Sequence, residues 1–192
     1  GTTRAAVTGT DINAELDNSM AGDVAVKAHD VTKSESHVGS LSVGIGADGG
    51  AGVSAASDTL LLDRETAAEL SGTDAAKKTV NGRNLAVTAD QQSIVVTNAD
   101  GVAGAGGIYG SGAVAATAAA TKLDGSVTAT MKNIISNNKG LDISAKHDHE
   151  TTLVSASAAM SAAMVSGAVG AGVGVVNDDF TTNAELINSD VT

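Results

Sequence analysis

The chain has no cysteine, no proline and no tryptophan, and its aromatic residues are Tyr109 and Phe180 alone. Without cysteine there is no disulfide framework, no thiolate metal ligand and no cysteine nucleophile. Without proline every residue keeps its backbone N–H, which suits long hydrogen-bonded ladders. The apolar residues are mostly Ala and Val, so the core they fill must be narrow. A wide globular core needs larger side chains to reach native packing density. Positive charge is also scarce: 11 Lys and Arg stand against 22 Asp and Glu, a net charge of −11. That balance argues against nucleic acid and against an anionic membrane surface, both of which select basic patches. No basic segment followed by an apolar run opens the sequence, so no signal peptide is read there. The uncharged run over 156–176 has spanning length, but it is Ala, Gly, Ser, Val and Met. It is too weakly apolar to be expected as a transmembrane helix.

What the sequence does contain is repetition. Its 192 residues suffice for one domain with a continuous core. The segment NAELDNS at 13–19 returns as NAELINS at 183–189. Four copies of a first motif align: Ile12-Asn13-Ala14-Glu15-Leu16, Thr66-Ala67-Ala68-Glu69-Leu70, Val127-Thr128-Ala129-Thr130-Met131 and Thr182-Asn183-Ala184-Glu185-Leu186. A second motif interleaves with it: Val24-Ala25-Val26-Lys27-Ala28, Leu85-Ala86-Val87-Thr88-Ala89 and Leu141-Asp142-Ile143-Ser144-Ala145. Two motifs in one order at one period make an internal repeat. Its expected bounds are 12–65, 66–126 and 127–181, with 182–192 starting a fourth, all within one solenoid over 1–192.

Both motifs alternate with period two, the pattern of a half-buried strand. The expected inward residues are Val24, Val26, Ala28, Leu85, Val87, Ala89, Leu141, Ile143 and Ala145 from the second motif. From the first they are Ala14, Leu16, Ala68, Leu70, Ala184 and Leu186. Turn residues cluster at 18–22, 47–50, 81–82 and 137–140. Each repeat also carries a Gly/Ala/Val run in which glycines permit close backbone approach. The fold class expected is all-β, a parallel β-solenoid. Divided into lengths familiar for such coils, the period suggests three coils of roughly 19 residues per repeat, about ten in all. At the ordinary strand spacing these would make a rod on the order of 45 to 50 Å long.

The strands VAVKA, LAVTA and LDISA, with GAVGAGVGVV and TTNAEL, resemble the repeats of filamentous-haemagglutinin-like bacterial exoproteins. These are adhesins exported by two-partner secretion or as autotransporter passengers. The resemblance covers nearly the whole chain and rests on low-complexity strands, with no single diagnostic residue. It implies a right-handed parallel β-helix, an extracellular or cell-surface place in a diderm bacterium, and the role of an adhesin shaft. The secretion domain and membrane barrel of such proteins have no counterpart in these residues, so an internal stretch is expected. The implied partners are neighbouring repeats of the same or identical chains and a surface receptor.

For chemistry, the sequence KHDHE offers His147 and His149 on one strand face, with Glu150 adjacent. Two imidazoles at i and i+2 can chelate, but a metal site needs a third ligand. With short coils, His29 lies about six coils from this pair and Asp90 about three, roughly 29 and 14 Å away. Neither reaches, so a polar corner is expected, with no metal and no cofactor. Glu15, Glu69 and Glu185 are placed in one outward column with members about 14 Å apart. That exceeds the separation of paired glycosidase carboxylates, so a solvated face is expected. A polysaccharide-active enzyme is the rival class, but the sequence offers it few aromatic platforms and few basic residues. GADGG and NADG do not develop into a calcium nonapeptide repeat, and no phosphate loop is present. Thr128 and Thr130 lack the matching Thr ranks that an ice-binding face needs. No catalytic residue is assigned. The expected function is a structural shaft segment, with a self-assembling filament subunit as the alternative.

Overall fold

A computed structural model describes residues 1–16 and 21–192. It is all-β, a parallel solenoid, with no helix among the described residues. Each turn of the solenoid has two long sides and one short one. Coil 1 runs out along β2 (Val24–Gly46), turns at 47–49, returns along β3 (Gly50–Ser71) and closes through β4 (Lys78–Thr79). Coil 2 repeats this with β5 (Asn84–Gly107), β6 (Gly110–Lys132) and β7 (Ile134–Ser136). Coil 3 repeats it with β8 (Gly140–Ala162), β9 (Val165–Ile187) and β10 (Asp190–Val191). Ahead of them β1 (Thr2–Thr8) pairs with the end of β3. The sheets are β2-β5-β8, β1-β3-β6-β9 and β10-β7-β4, and every named ladder is parallel.

The coil is three times longer than expected, and there are three complete coils where about ten were expected. Val24 pairs directly with Leu85, and Leu85 with Leu141. One sequence repeat is therefore one coil. The physical reason is that period-two alternation keeps one phase through β2, β3, β5, β6 and β8, each 22 to 24 residues long, and β9 pairs with β6 along its whole length. The chain turns between those strands: 47–49 joins β2 to β3, Asn81-Gly82 precedes β5, and 137–139 precedes β8. The expected turn over 18–22 falls largely outside the described residues. The molecule is thus a flat blade. Each long strand has a contour of roughly 75 Å, while four stacked strands rise only about 14 Å. The uncharged run 156–176 forms the end of β8, a turn and the start of β9.

The repeated words at the two ends are not structural equivalents. Ala184 pairs with Ala129, and Ala129 with Ala68, but the residue paired with Ala68 on the fourth strand is Ala5. Asn13, with φ of 52°, starts a turn in which Ala14 and Leu16 are exposed, so neither is a core residue. The amide of Asn81 holds that turn by donating to the carbonyls of Asn13 and Leu16, at 3.3 and 3.0 Å. The rest of that copy, Asp17, Asn18 and Ser19, lies outside the described residues. Glu15 consequently leaves the acidic column. Glu69 and Glu185 share it two rungs apart, with Thr130 between them, at about 10 Å.

The core tapers along the blade. Near the short side it holds Leu70, Val80, Leu85, Val87, Met131 and Ile134, with Val26, Ala28, Ala68 and Ala89 around them. Val24, Ile143 and Ala145 pack on this cluster, partly buried. Leu141, Ala184 and Leu186 take inward register in coil 3 but are exposed at its open rim. Toward the tip the core thins to Ala103, Ala105, Ala113 and Ala115. There the sheets meet nearly backbone to backbone. A Cβ on Gly52 would lie 2.1 Å from the Gly104 carbonyl oxygen, and one on Gly44 would lie 1.8 Å from that of Ala51.

Candidate functional site

Between the thick core and the thin tip lies a level where the interior is polar. Two inward rows define it on the first sheet: Asp30, Gln91 and His147 on successive rungs, then Thr32, Ser93 and His149. Facing them on the second sheet are Arg64, Gly125 and Phe180, then Leu62, Leu123 and Asp178. An unpartnered polar group here would be costly to bury, and each coil fills the level differently. In coil 1 the Arg64 guanidinium donates to both oxygens of Asp30, at 3.0 and 3.2 Å. In coil 2 Gln91 Oε1 accepts from the Thr66 hydroxyl of coil 1 at 3.1 Å, and Gln91 Nε2 donates to Ser93 Oγ at 3.3 Å. Gly125 makes room between large neighbours. Its φ is 150°, and a Cβ there would sit 1.8 Å from the Arg64 carbonyl oxygen.

Coil 3 fills the level with aromatic rings. His147 stacks on Phe180 with centroids 3.8 Å apart, and the His149 ring lies 5.4 Å from His147. His149 Nε2 is 3.2 Å from Asp178 Oδ2. His147 Nε2 is buried without a hydrogen-bond partner. Burial, above all, pushes the His147 imidazole below its usual range. The KHDHE segment is therefore no polar corner. It lies within β8, and its two histidines point into the solenoid. His29, expected many coils away, is two rungs from Lys146 on the outer face, with Asp90 between them. His29 Nδ1 is 3.2 Å from Asp90 Oδ2. Asp178 is not legible from sequence as a neighbour of the histidines, because it comes from β9 on the opposite sheet.

Two further features are surfaces. The outer strands of the stack, β2 on one side and β8 with β9 on the other, leave ladder edges open among the described residues. The outer faces also change character along the blade. The half near the short side carries the ion pairs Arg4–Glu69, Arg83–Asp23 and Lys146–Asp148. The tip half is apolar on both faces, with Leu41, Val43, Ile45 and Met160 exposed on one and Val53, Val114, Val169 and Val173 on the other. Gly104 and Gly106 form the floor of a shallow groove of about 370 Å³ between Ile45 and Met160.

Comparison with known proteins returns no matching family model, no matching curated protein and no matching solved structure.

Proposed function

We propose that this chain is a structural shaft segment of an extracellular bacterial adhesin, acting through extended shape and surface contacts and carrying out no reaction. The observation that carries the proposal is the unbroken rung register. The first two coils match residue for residue over the whole of β2 and all of β5 after Asn84, and the last two over the whole of β8 and all of β5 before Gly107. A further rung added to the open ladders of β8 and β9 would meet the same spacing and the same alternation. Solenoids of this kind are stabilised by nearest-neighbour interfaces, so they lengthen without redesign. The apolar tip supports a role in surface contacts, since exposed patches of this kind mark interaction sites. The resemblance to haemagglutinin-like repeats supports a place outside the cell of a diderm bacterium.

The same open ladders support a second reading, a filament subunit that joins other copies end to end. Light scattering across a concentration series, beside thermal melts of this chain and of two copies fused in phase, separates the readings. A shaft segment stays monomeric and melts higher when doubled. A filament subunit forms rods at rising concentration. A monomer whose melting temperature is unchanged by doubling would contradict both.

A further inference from the structure

We propose that His147, His149 and Asp178 form a binding site for a divalent transition-metal cation, Zn²⁺ in the first instance, that clips the two long sheets together in coil 3. Each residue offers one ligand atom, and the three atoms lie within 4.8 Å of one another. The ligands come from both sheets: the histidines from β8 and the carboxylate from β9. Spacing at i and i+2 on a strand puts both imidazoles on the same side. The His147 ring is held by its stack on Phe180, so its orientation is set in advance. Its Nε2 is buried and has no other partner. His149 and Asp178 are more exposed, toward the free edges of β8 and β9, which gives an ion a way in.

The donor set fixes the class of ion. Two imidazole nitrogens and one carboxylate oxygen suit Zn²⁺ and its late first-row neighbours. They supply too few oxygens for Ca²⁺, which takes six to eight. Three protein ligands leave the fourth tetrahedral position to water.

Comparison of the coils carries the same inference independently. At this level coil 1 closes the gap between sheets with a carboxylate and a cation of its own, Asp30 and Arg64. Coil 3 has a carboxylate at this level too, Asp178, supplied by the second sheet at the place of Leu62, and among the described residues its ion-pair partner is His149, with no arginine or lysine paired to it. Where Arg64 stands in coil 1, the ladder places Phe180. A bound cation would supply to coil 3 what the guanidinium supplies to coil 1.

Isothermal titration of the full chain, stripped with a chelator and then dialysed free of it, tests the site with ZnCl₂ and with CaCl₂. One Zn²⁺ per chain is expected, with no heat from Ca²⁺, and Zn²⁺ should raise the melting temperature. The double variant His147→Gln with His149→Ser places in coil 3 the residues that coil 2 carries at the paired positions on the adjacent rung, Gln91 and Ser93. It should fold with an unchanged circular dichroism spectrum and lose Zn²⁺ binding. Asp178→Asn should weaken binding at least about tenfold, by analogy with the cost of disturbing a metal site's supporting groups. His29→Ala with His37→Ala, which removes the outward histidines, should leave the isotherm unchanged. Absence of Zn²⁺ binding by the parent chain, or binding that survives the Gln/Ser double variant, would overturn the proposal.

Discussion

His29 and Asp90 stand 61 residues apart in the chain and one rung apart in the fold, their side chains 3.2 Å from each other. That relationship sets the scale of the molecule. A full repeat is consumed in a single circuit, so residues far apart in sequence are nearest neighbours along the stack. The fold depends on these long-range ladders, and damage to one buried rung is felt by the rungs on either side.

Val87 is the central test of the inward face. It is fully buried between Val26 and Ile143 on the adjacent rungs. Val87→Asp would bury an unpaired carboxylate and should cost about 3 kcal/mol or more. Thr88→Asp, one residue on, points outward and should cost less than about 1 kcal/mol. Urea melts of the two variants check this. Equal losses would place the inward face wrongly.

The tip makes the opposite demand, for absence of side chain. A methyl group on Gly52 would collide with backbone of the facing sheet, so relief requires the sheets to separate. Gly52→Ala should cost about 2 kcal/mol, as overpacking does. Gly112 lies on the outer face, where a Cβ would approach nothing closer than the Gly167 carbonyl oxygen at 4.0 Å. Gly112→Ala should be neutral or stabilising by about 0.5 kcal/mol, because it restricts the unfolded chain. Thermal melts of the pair provide the comparison.

Acid should release β1 before the central coil. The Ser71 hydroxyl, and after it the Arg4 guanidinium, hold the Glu69 carboxyl below its usual range. A carboxyl depressed in the folded state contributes its stabilisation in full above the ordinary carboxylate pKa, and loses it as pH falls through the lower folded value. Amide exchange in residues 2–8, measured from pH 6 to pH 3, should therefore accelerate at the acid end ahead of β5 and β6. Arg4→Ala should remove part of that pH dependence. Uniform acceleration across all strands would show that Glu69 does not hold β1.

Much of the fold was legible because alternation is a local property. The second motif's alignment of Val26, Val87 and Ile143 is the ladder itself. Coil length is not legible because strands of more than 20 residues are rare, while the shorter coil length divides the period at places that the sparse turn clusters do not mark. Those clusters fall at 18–22, 47–50, 81–82 and 137–140, far too few for ten coils. The identity of NAEL at both ends misled for a different reason. Asn tolerates left-handed backbone, so the same four letters make a turn at Asn13 and a strand at Asn183. Asp178 could not be placed beside His149 from sequence, because contact between facing sheets depends on where the long strands turn back.

The coil period can be measured directly, because the chain has no cysteine to interfere. Thr88 and Ser144 are outward partners on adjacent rungs, and Lys27 lies one rung further along the same row. Adjacent rungs are about 4.8 Å apart, within the Cα separation a disulfide can bridge. The variant Thr88→Cys with Ser144→Cys should cross-link fully on mild oxidation of the folded chain. Lys27→Cys with Ser144→Cys, two rungs and about 10 Å apart, should stay reduced. A failure of the first pair to form its disulfide, as a separation of three coils of about 19 residues would require, would contradict a solenoid in which one repeat makes one coil.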